Sequence, residues 1–137
     1  MAVARFSTLM AKKNQQYALK AIISTAGLQA VSIHKKTALE STSWGLGQVM
    51  GAHWEWLGYS SIDELVAEAR NSVGGQVRLM LKFIDKAGLK TALEQKHWRN
   101  FARRYNGPAF ARNQYDSRMA AAFERWNRSL GRILQAV

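Results

Sequence analysis

Glu40 is the residue of this chain whose position most suggests acid–base chemistry, and it is the first carboxylate in a sequence of 137 residues. It lies four residues before Trp44, so a helical turn there would place its carboxyl group beside an indole. Apolar surroundings disfavour the charged form of a carboxyl group. A carboxylic acid that keeps its proton near neutral pH can donate it to a reacting group. Glu40 is therefore a candidate general acid; the alternative is an ordinary exposed glutamate before a turn.

The glycine-rich stretch Ser43–Gly51 follows directly and reads Ser-Trp-Gly-Leu-Gly-Gln-Val-Met-Gly. Each glycine in a helix interior costs about 1 kcal/mol relative to alanine, so the stretch is not expected to be helical. Glycine in such a run indicates backbone with positive φ, or backbone that comes close to another group. Trp44, Gln48 and Met50 would be side chains held by this tight segment. The alternative is a buried turn in which Gln48 bonds to backbone.

Aromatic residues are concentrated in the next segment, His53-Trp54-Glu55-Trp56-Leu57-Gly58-Tyr59. They can form a wall on which sugars or bases stack, or the core of a helical domain, which is the commoner fate of aromatic side chains. His53 has no histidine, cysteine or acid at the spacing of metal ligands, so neither a metal nor a cofactor is expected. Glu55 and Asp63 are further candidates for a second carboxylate.

Helical patterns dominate the rest of the chain and position these residues. Ser61–Glu64 is a capping box that predicts a helix from Ile62 to about Asn71. Its inward side chains are predicted to be Leu65, Val66 and Ala69. Gly74-Gly75 should separate it from a second amphipathic helix, which Gly88 would end. The apolar positions of that second helix are Val77, Met80, Leu81 and Ile84.

Further helices are predicted near Thr91–Glu94, over Trp98–Tyr105, and from about Asn113 to Leu134. Asn106-Gly107-Pro108 should end the second of these. One face of the last helix carries Tyr115, Met119, Ala122, Phe123, Trp126, Leu130 and Ile133. Tyr17–Ile33 is predicted to form a core helix with a break at Gly27. This stretch is too short and polar for a membrane span. The fold class is all-α, with at most a minimal β element.

The composition indicates one basic domain. The formal net charge is +11, there is no cysteine, and 47% of the residues are hydrophobic. A chain of this length is expected to fold as a single domain, and the absence of cysteine excludes disulfides. The charge predicts attraction to polyanions such as nucleic acid, an anionic membrane or a cell wall, without choosing among them.

Four short motifs together resemble a known family. The order of Ser, Gly, Gln and Met in Ser43–Gly51 resembles the signature of lysozyme-like muramidases. Tyr105-Asn106-Gly107-Pro108 resembles their second signature, a Tyr-Asn-Gly turn. Gly58–Ser61 and Trp98–Ala102 lie between them. In this order, the motifs resemble the phage-type N-acetylmuramidase domain of modular endolysins, over roughly Ala38–Trp126.

The resemblance implies a lysozyme-like helical fold that cleaves the β-1,4 bond between N-acetylmuramic acid and N-acetylglucosamine in peptidoglycan. Substrate-binding residues would be Ser43, Trp44, Gln48, Met50, Tyr105, Asn106 and Gly107. Ser43, Gln48 and Met50 would line the floor of the sugar cleft. Tyr105 would lie near the catalytic carboxyl, and Asn106-Gly107 would shape the cleft wall. Peptidoglycan is anionic, which suits a protein of charge +11.

The position of the acid departs from the family pattern. The family carries its catalytic glutamate well upstream of the Ser-Trp-Gly motif, at the end of an earlier helix, whereas no acid precedes Glu40 here. Residues 1–37 are therefore interpreted as a basic segment poorly matched to the family, and residues 38–137 as the muramidase-like domain. Either the domain is truncated and inactive alone, or another carboxylate acts, and Glu40 is the best candidate.

Three functions remain open at this point. The first is a muramidase or a related lytic transglycosylase. The second is a truncated, non-catalytic domain that binds peptidoglycan. The third, ranked last, is a basic nucleic-acid-binding protein, because no recognised nucleic-acid module is present. We expect a monomer without a transmembrane segment or a specific nucleic-acid partner. No export signal is visible, which fits an endolysin held in the host cytoplasm until its release to the cell wall, or a virion-associated lysin.

Overall fold

The computed structural model describes residues 25–135, which divide between two compact units, Met1–Lys86 and Ala87–Val137. Helices make up most of the described chain, and the sheet within it has two strands. The predicted class, all-α with a minimal β element, is therefore confirmed. No helix among the described residues is long and apolar enough to cross a membrane.

The first unit begins, within the described residues, with helix α1, Thr25–Glu40. It kinks at His34, where φ is −155° and ψ is 86°. The backbone is helical through Gly27, so the break that we predicted there lies at His34 instead. The upstream part of the predicted helix, residues 17–24, lies outside the described residues.

A short antiparallel hairpin follows α1 and contains the glycine-rich stretch. Its strands are β1, Ser43–Trp44, and β2, Val49–Met50, with Trp44 opposite Val49. The connection between them has positive φ at Gly45 (70°) and at Gln48 (51°). The prediction of positive φ is thus confirmed at Gly45, where glycine adopts this conformation at little cost. A short 3-10 helix, Gly51–His53, continues from β2.

Helix α2, Ile62–Asn71, has the predicted bounds and buries the three predicted side chains. Ser61 Oγ accepts a hydrogen bond from Glu64 N (3.2 Å). The Glu64 carboxylate reaches back one residue further than the usual capping box, because it accepts from Ser60 N at 2.7 Å. The core of the unit joins residues of α1, the hairpin, the connection before α2, α2 and α3: Leu39, Trp44, Val49, Leu57, Tyr59, Ile62, Leu65, Val66, Ala69 and Leu79.

Helix α3, Val73–Lys86, corrects two predictions. Gly74-Gly75 lies inside its first turn, and the break after α2 is at Ser72, whose Oγ accepts from Gly75 N at 3.0 Å. Gly75 is needed for packing, because a Cβ there would overlap the carbonyl oxygen of Glu68. This close approach turns Leu79 into the core and leaves Leu81, predicted to face inward, 49% exposed.

The second unit contains α4, Lys90–Glu94, α5, Trp98–Asn106, and α6, Tyr115–Gln135. Gly88, just before α4, has φ of 63° and Gly107, just after α5, has φ of 83°, so both predicted helix ends are confirmed. A 3-10 helix, Pro108–Asn113, fills the connection to α6, which therefore begins two residues later than predicted.

Candidate functional site

Glu40 is the last residue of α1, and Ser41 and Thr42 connect it to the hairpin. The Trp54 indole Nε1 donates a hydrogen bond to Glu40 Oε1 at 2.8 Å. Lys36 Nζ lies 3.8 Å from the same oxygen, one helical turn earlier. Glu40 Oε2 accepts no hydrogen bond from the described residues, and the side chain is 27% exposed. Within the described part of the chain, one carboxyl oxygen is therefore anchored and the other accepts no hydrogen bond.

The hairpin fixes the end of α1. The Trp44 indole Nε1 donates to the Leu39 carbonyl at 3.0 Å, and Gly51 N donates to the Thr42 carbonyl at 2.8 Å. A Cβ on Gly51 would overlap the Leu39 carbonyl oxygen and lie 3.0 Å from the Cα atom of Glu40. The prediction that a glycine here permits a close approach is confirmed at Gly51. The glycine-rich stretch therefore positions the backbone that carries Glu40.

Trp44 was expected beside the Glu40 carboxyl and on the substrate surface, and both expectations are wrong. Its side chain is 1% exposed, and its indole bonds to Leu39. The reason is that α1 ends at Glu40, so Trp44 lies on a strand and faces the core. The indole that reaches the carboxyl belongs to Trp54, fourteen residues further along the chain.

The other hairpin residues remain accessible to different degrees. Ser43 is half-buried, and its Oγ donates to Met50 Sδ at 3.3 Å. Met50 is exposed. Gln48 is also exposed, and its Nε2 donates to the Gly45 carbonyl at 2.9 Å. The backbone bond that we considered for Gln48 is thus present, at the surface rather than in a buried turn.

The aromatic segment divides between the core and the surface, and a stacking role for its exposed part stays a prediction. Tyr59 is in the core, whereas Trp56 is exposed. The Trp56 ring packs edge-on against Phe83 and His53, with centroid distances of 5.7 Å and 5.6 Å. Trp54 is half-buried and bonds to Glu40. Among the described residues, no group of three or more His, Cys, Asp or Glu side chains could hold a metal ion.

Neither candidate for a second carboxylate contacts Glu40 within the described residues. Glu55 is exposed. Asp63 lies in the first turn of α2, and its Oδ1 is 2.6 Å from Lys35 Nζ, in an ion pair whose two side chains are both exposed. Their roles stay predictions.

The second motif, Tyr105-Asn106-Gly107, belongs to the second unit, whereas the glycine-rich hairpin belongs to the first. Tyr105 stacks on Phe101, with ring centroids 5.3 Å apart and planes at 13°. Burial raises the pKa of Tyr105 to about 12. Asn106 is exposed at the end of α5, and Gly107 leaves open space around its Cα atom. A role of these residues in binding substrate stays a prediction.

Sequence reasoning missed both partners of Glu40. Lys36 could have been found, because a lysine four residues before a glutamate on a helix lies on the same face. No local signal links Trp54 to Glu40, because their contact depends on the return of the chain after the hairpin.

Comparison with known proteins gives one family. The family model described as Muramidase, N-acetylmuramidase, matches residues 5–127, which include Glu40, both motifs and most of the segment upstream of residue 38. The boundary that we predicted between residues 37 and 38 stays a prediction, because residues 1–24 are not among those described. A search of curated proteins found no match.

A solved structure is also similar. The endolysin of Burkholderia AP3 phage shares 32% sequence identity over 89% of this chain, with a TM-score of 0.68. This chain spans 53% of that endolysin's length. Together with the helical fold, the family match leads to one conclusion: the chain belongs to the N-acetylmuramidase family.

Proposed function

We propose that this chain degrades peptidoglycan by cleaving the β-1,4 bond between N-acetylmuramic acid and N-acetylglucosamine, with Glu40 as the general acid. The observation that carries the proposal is the environment of its carboxyl group. Oε1 is held by the Trp54 indole, whereas Oε2 has no hydrogen-bond donor among the described residues. The group is thus fixed in orientation and keeps one oxygen for the substrate.

The proposed chemistry begins with protonated Glu40 donating its proton to the glycosidic oxygen. The bond from that oxygen to the anomeric carbon of N-acetylmuramic acid breaks, and the neutral alcohol leaves. Water then adds to the oxocarbenium-like carbon and gives its proton to a carboxylate, either Glu40, which is thereby restored to its acid form, or a second carboxylate. A general acid of this kind needs dry surroundings, and a bound glycan would cover the part of the Glu40 side chain that is now exposed.

Trp54 and Lys36 would assist this step through charge. Glu40 becomes negative as it gives up its proton. The indole N–H and the nearby ammonium group both interact more strongly with a carboxylate than with a carboxylic acid. These contacts would therefore be strongest when the acid has transferred its proton. The positive charge of the chain suits an anionic polymer.

We further propose that Ser43, Gln48 and Met50 contact the glycan. Separately, Tyr105, Asn106 and Gly107 of the second unit stay predicted as substrate-binding residues. The first three lie on the hairpin that fixes the end of α1 and are exposed or half-buried. Trp44 is left out of this set, because its indole is buried and can only support the hairpin. Its earlier assignment to the substrate is replaced by Trp54, which contacts Glu40 directly.

The test is mass spectrometry of the products released from purified peptidoglycan sacculi. We expect products with N-acetylmuramic acid at the reducing end, and none with the Glu40→Gln variant. Anhydro-muramic products would instead assign the lytic transglycosylase reaction. Binding to sacculi without any release would support the non-catalytic alternative, and no binding would overturn both.

The second carboxylate is tested with the same assay. Glu55→Gln and Asp63→Asn remove the two candidates one at a time. A loss of activity close to that of Glu40→Gln would assign the role to that residue. Full activity in both variants would favour a mechanism in which the attacking water is positioned without either of them.

The biological setting that fits this activity is phage lysis. We propose that the protein is held in the host cytoplasm until it reaches the cell wall, as an endolysin, with virion association as the alternative. Detection of the chain in purified virions would support the virion-associated alternative.

A further inference from the structure

Helix α6 carries one apolar face whose two halves have different surroundings. In its first half, Tyr115, Met119 and Phe123 are half-buried, and the Phe123 ring lies 5.5 Å from that of Trp98 on α5. The face continues through the second half of the helix. There its side chains are exposed: Trp126, Leu130, Ile133 and Leu134. Four large apolar side chains within nine residues are therefore presented on one side of a helix without burial.

A row of cations runs along the edge of this apolar face. Arg118, Arg125 and Arg132 are spaced by seven residues, so they lie nearly in line along the helix, and Arg128 lies close to the row. All four are exposed. Of the two acids of α6, Asp116 lies opposite the row of Arg118, Arg125 and Arg132. Glu124 lies about a quarter of a turn from the row, on the side of Arg128. The edge is therefore positively charged along its whole length.

We infer that the second half of α6 is a docking surface for an anionic phospholipid bilayer. The arginines would pair with lipid phosphates while Trp126, Leu130, Ile133 and Leu134 enter the boundary of the acyl chains. Charge complementarity carries this choice of partner, because a second copy of the chain would bring a like-charged row against the first. Long arginine side chains can also keep their charged groups at the headgroups while the helix lies at the interface.

The test is co-sedimentation of the full chain with two kinds of vesicle. One contains phosphatidylcholine alone, and the other also contains roughly 30 mol% phosphatidylglycerol, which makes about one third of its surface anionic. We expect binding to the anionic vesicles only, weakening as salt rises. Leu130→Gln should weaken binding about fivefold, because the half-exposed side chain no longer enters an apolar phase. Leu81→Gln is the matched control, since Leu81 is 49% exposed and Leu130 is 50% exposed.

Charge is tested with a second matched pair. Replacing Arg118, Arg125 and Arg132 by Gln should weaken binding about a hundredfold, because each cation near an anionic surface strengthens binding about fivefold. Replacing the exposed residues Lys86, Lys90 and Arg112 by Gln changes the net charge equally and should have a much smaller effect.

Three results would overturn the inference. They are equal binding to neutral and anionic vesicles, equal effects of the test and control substitutions, and no binding at all. Sedimentation velocity without lipid tests whether a second copy of the chain covers this face instead. A dimer that Leu130→Gln converts to a monomer would show that the face joins two copies of the chain instead.

Discussion

Two glutamates of the first unit are each held by one aromatic donor and by basic side chains, yet their surroundings differ. Glu68, on α2, has both oxygens occupied. Arg78 Nε contacts Oε1 at 2.8 Å, the Tyr59 hydroxyl donates to Oε2, and Lys82 Nζ lies 3.6 Å from Oε2. Among the residues that the structure describes, Glu40 receives both of its contacts on one oxygen. A carboxylate with both oxygens saturated fixes structure, whereas one with a free oxygen can exchange a proton with a ligand.

The titration of the Glu68 cluster agrees with a structural role. Burial of Glu68 opposes its charge, but hydrogen bonds from Tyr59 and Arg78 and the charge of Lys82 hold its pKa below the ordinary value. Burial, and then the hydrogen bond to Glu68, raise the pKa of Tyr59. Lys82 Nζ also lies 3.8 Å above the Tyr59 ring. The cluster therefore keeps a charged carboxylate and a neutral phenol together.

The largest expected effect is a difference in enzymatic activity between variants of the two glutamates. Glu40→Gln should lower the rate of release of peptidoglycan fragments by about 10³-fold, the scale of general acid catalysis, without unfolding the chain. Glu68→Gln is the matched control and should keep most of the activity per folded molecule. Turbidity loss of purified sacculi measures both. Equal activity of the two variants would remove the distinction drawn between these sites.

The second prediction concerns the glycine beside each glutamate. Gly51→Ala forces a Cβ against Leu39 and Glu40, and Gly75→Ala forces one against Glu68. Each should lower the free energy of unfolding by about 3 kcal/mol, the scale of overpacking. Gly51→Ala should in addition lower activity per folded molecule, because it displaces the backbone of Glu40. Urea unfolding followed by circular dichroism measures stability, with Gly131→Ala as the control, since a Cβ there meets nothing.

The third prediction concerns how the free energy of unfolding depends on pH. The pKa of Glu68 is lowered in the folded state, so its contribution to stability is present above the unfolded value of about 4.3 and is lost as the pH falls through the folded value. At pH 7, Glu68→Gln should lower the free energy of unfolding by about 2 kcal/mol, because charged hydrogen bonds are lost. The wild-type stability should then fall more steeply than that of the variant below about pH 4.5. Parallel acid profiles would contradict this account.

The smallest effect is expected from the anchor of Glu40. Trp54→Phe removes the indole N–H but keeps an aromatic ring, so Glu40 Oε1 loses its hydrogen bond. Activity should fall about tenfold, the scale of one hydrogen bond to a charged group, and its pH profile should change. Trp56→Phe is the control, because Trp56 packs against Phe83 and His53 instead. A change in stability with an unaltered pH profile would make Trp54 a packing residue only.

Local patterns predicted most of the helices because capping and apolar spacing act within a few residues. The capping box at Ser61 placed the start of α2, and glycines with positive φ marked the ends before α4 and after α5. The same reasoning misplaced the break before α3. Two glycines normally indicate a turn, but Gly75 is required by the contact of α3 with the backbone of α2. That contact could not be read from local sequence.

The sequence by itself determined the family motifs, the helical class and the candidate acid, because these depend on residue type and short spacing. Glu40 could be identified as a candidate from its place before the glycine-rich stretch. Only the tertiary structure decided which indole contacts the carboxyl group of Glu40. Trp44 is four residues away but enters the core, whereas Trp54 is brought back to the carboxyl by the hairpin and the 3-10 helix. The physical reason is that the hairpin after α1 reverses the chain. Which indole contacts Glu40 therefore depends on packing and not on distance along the sequence.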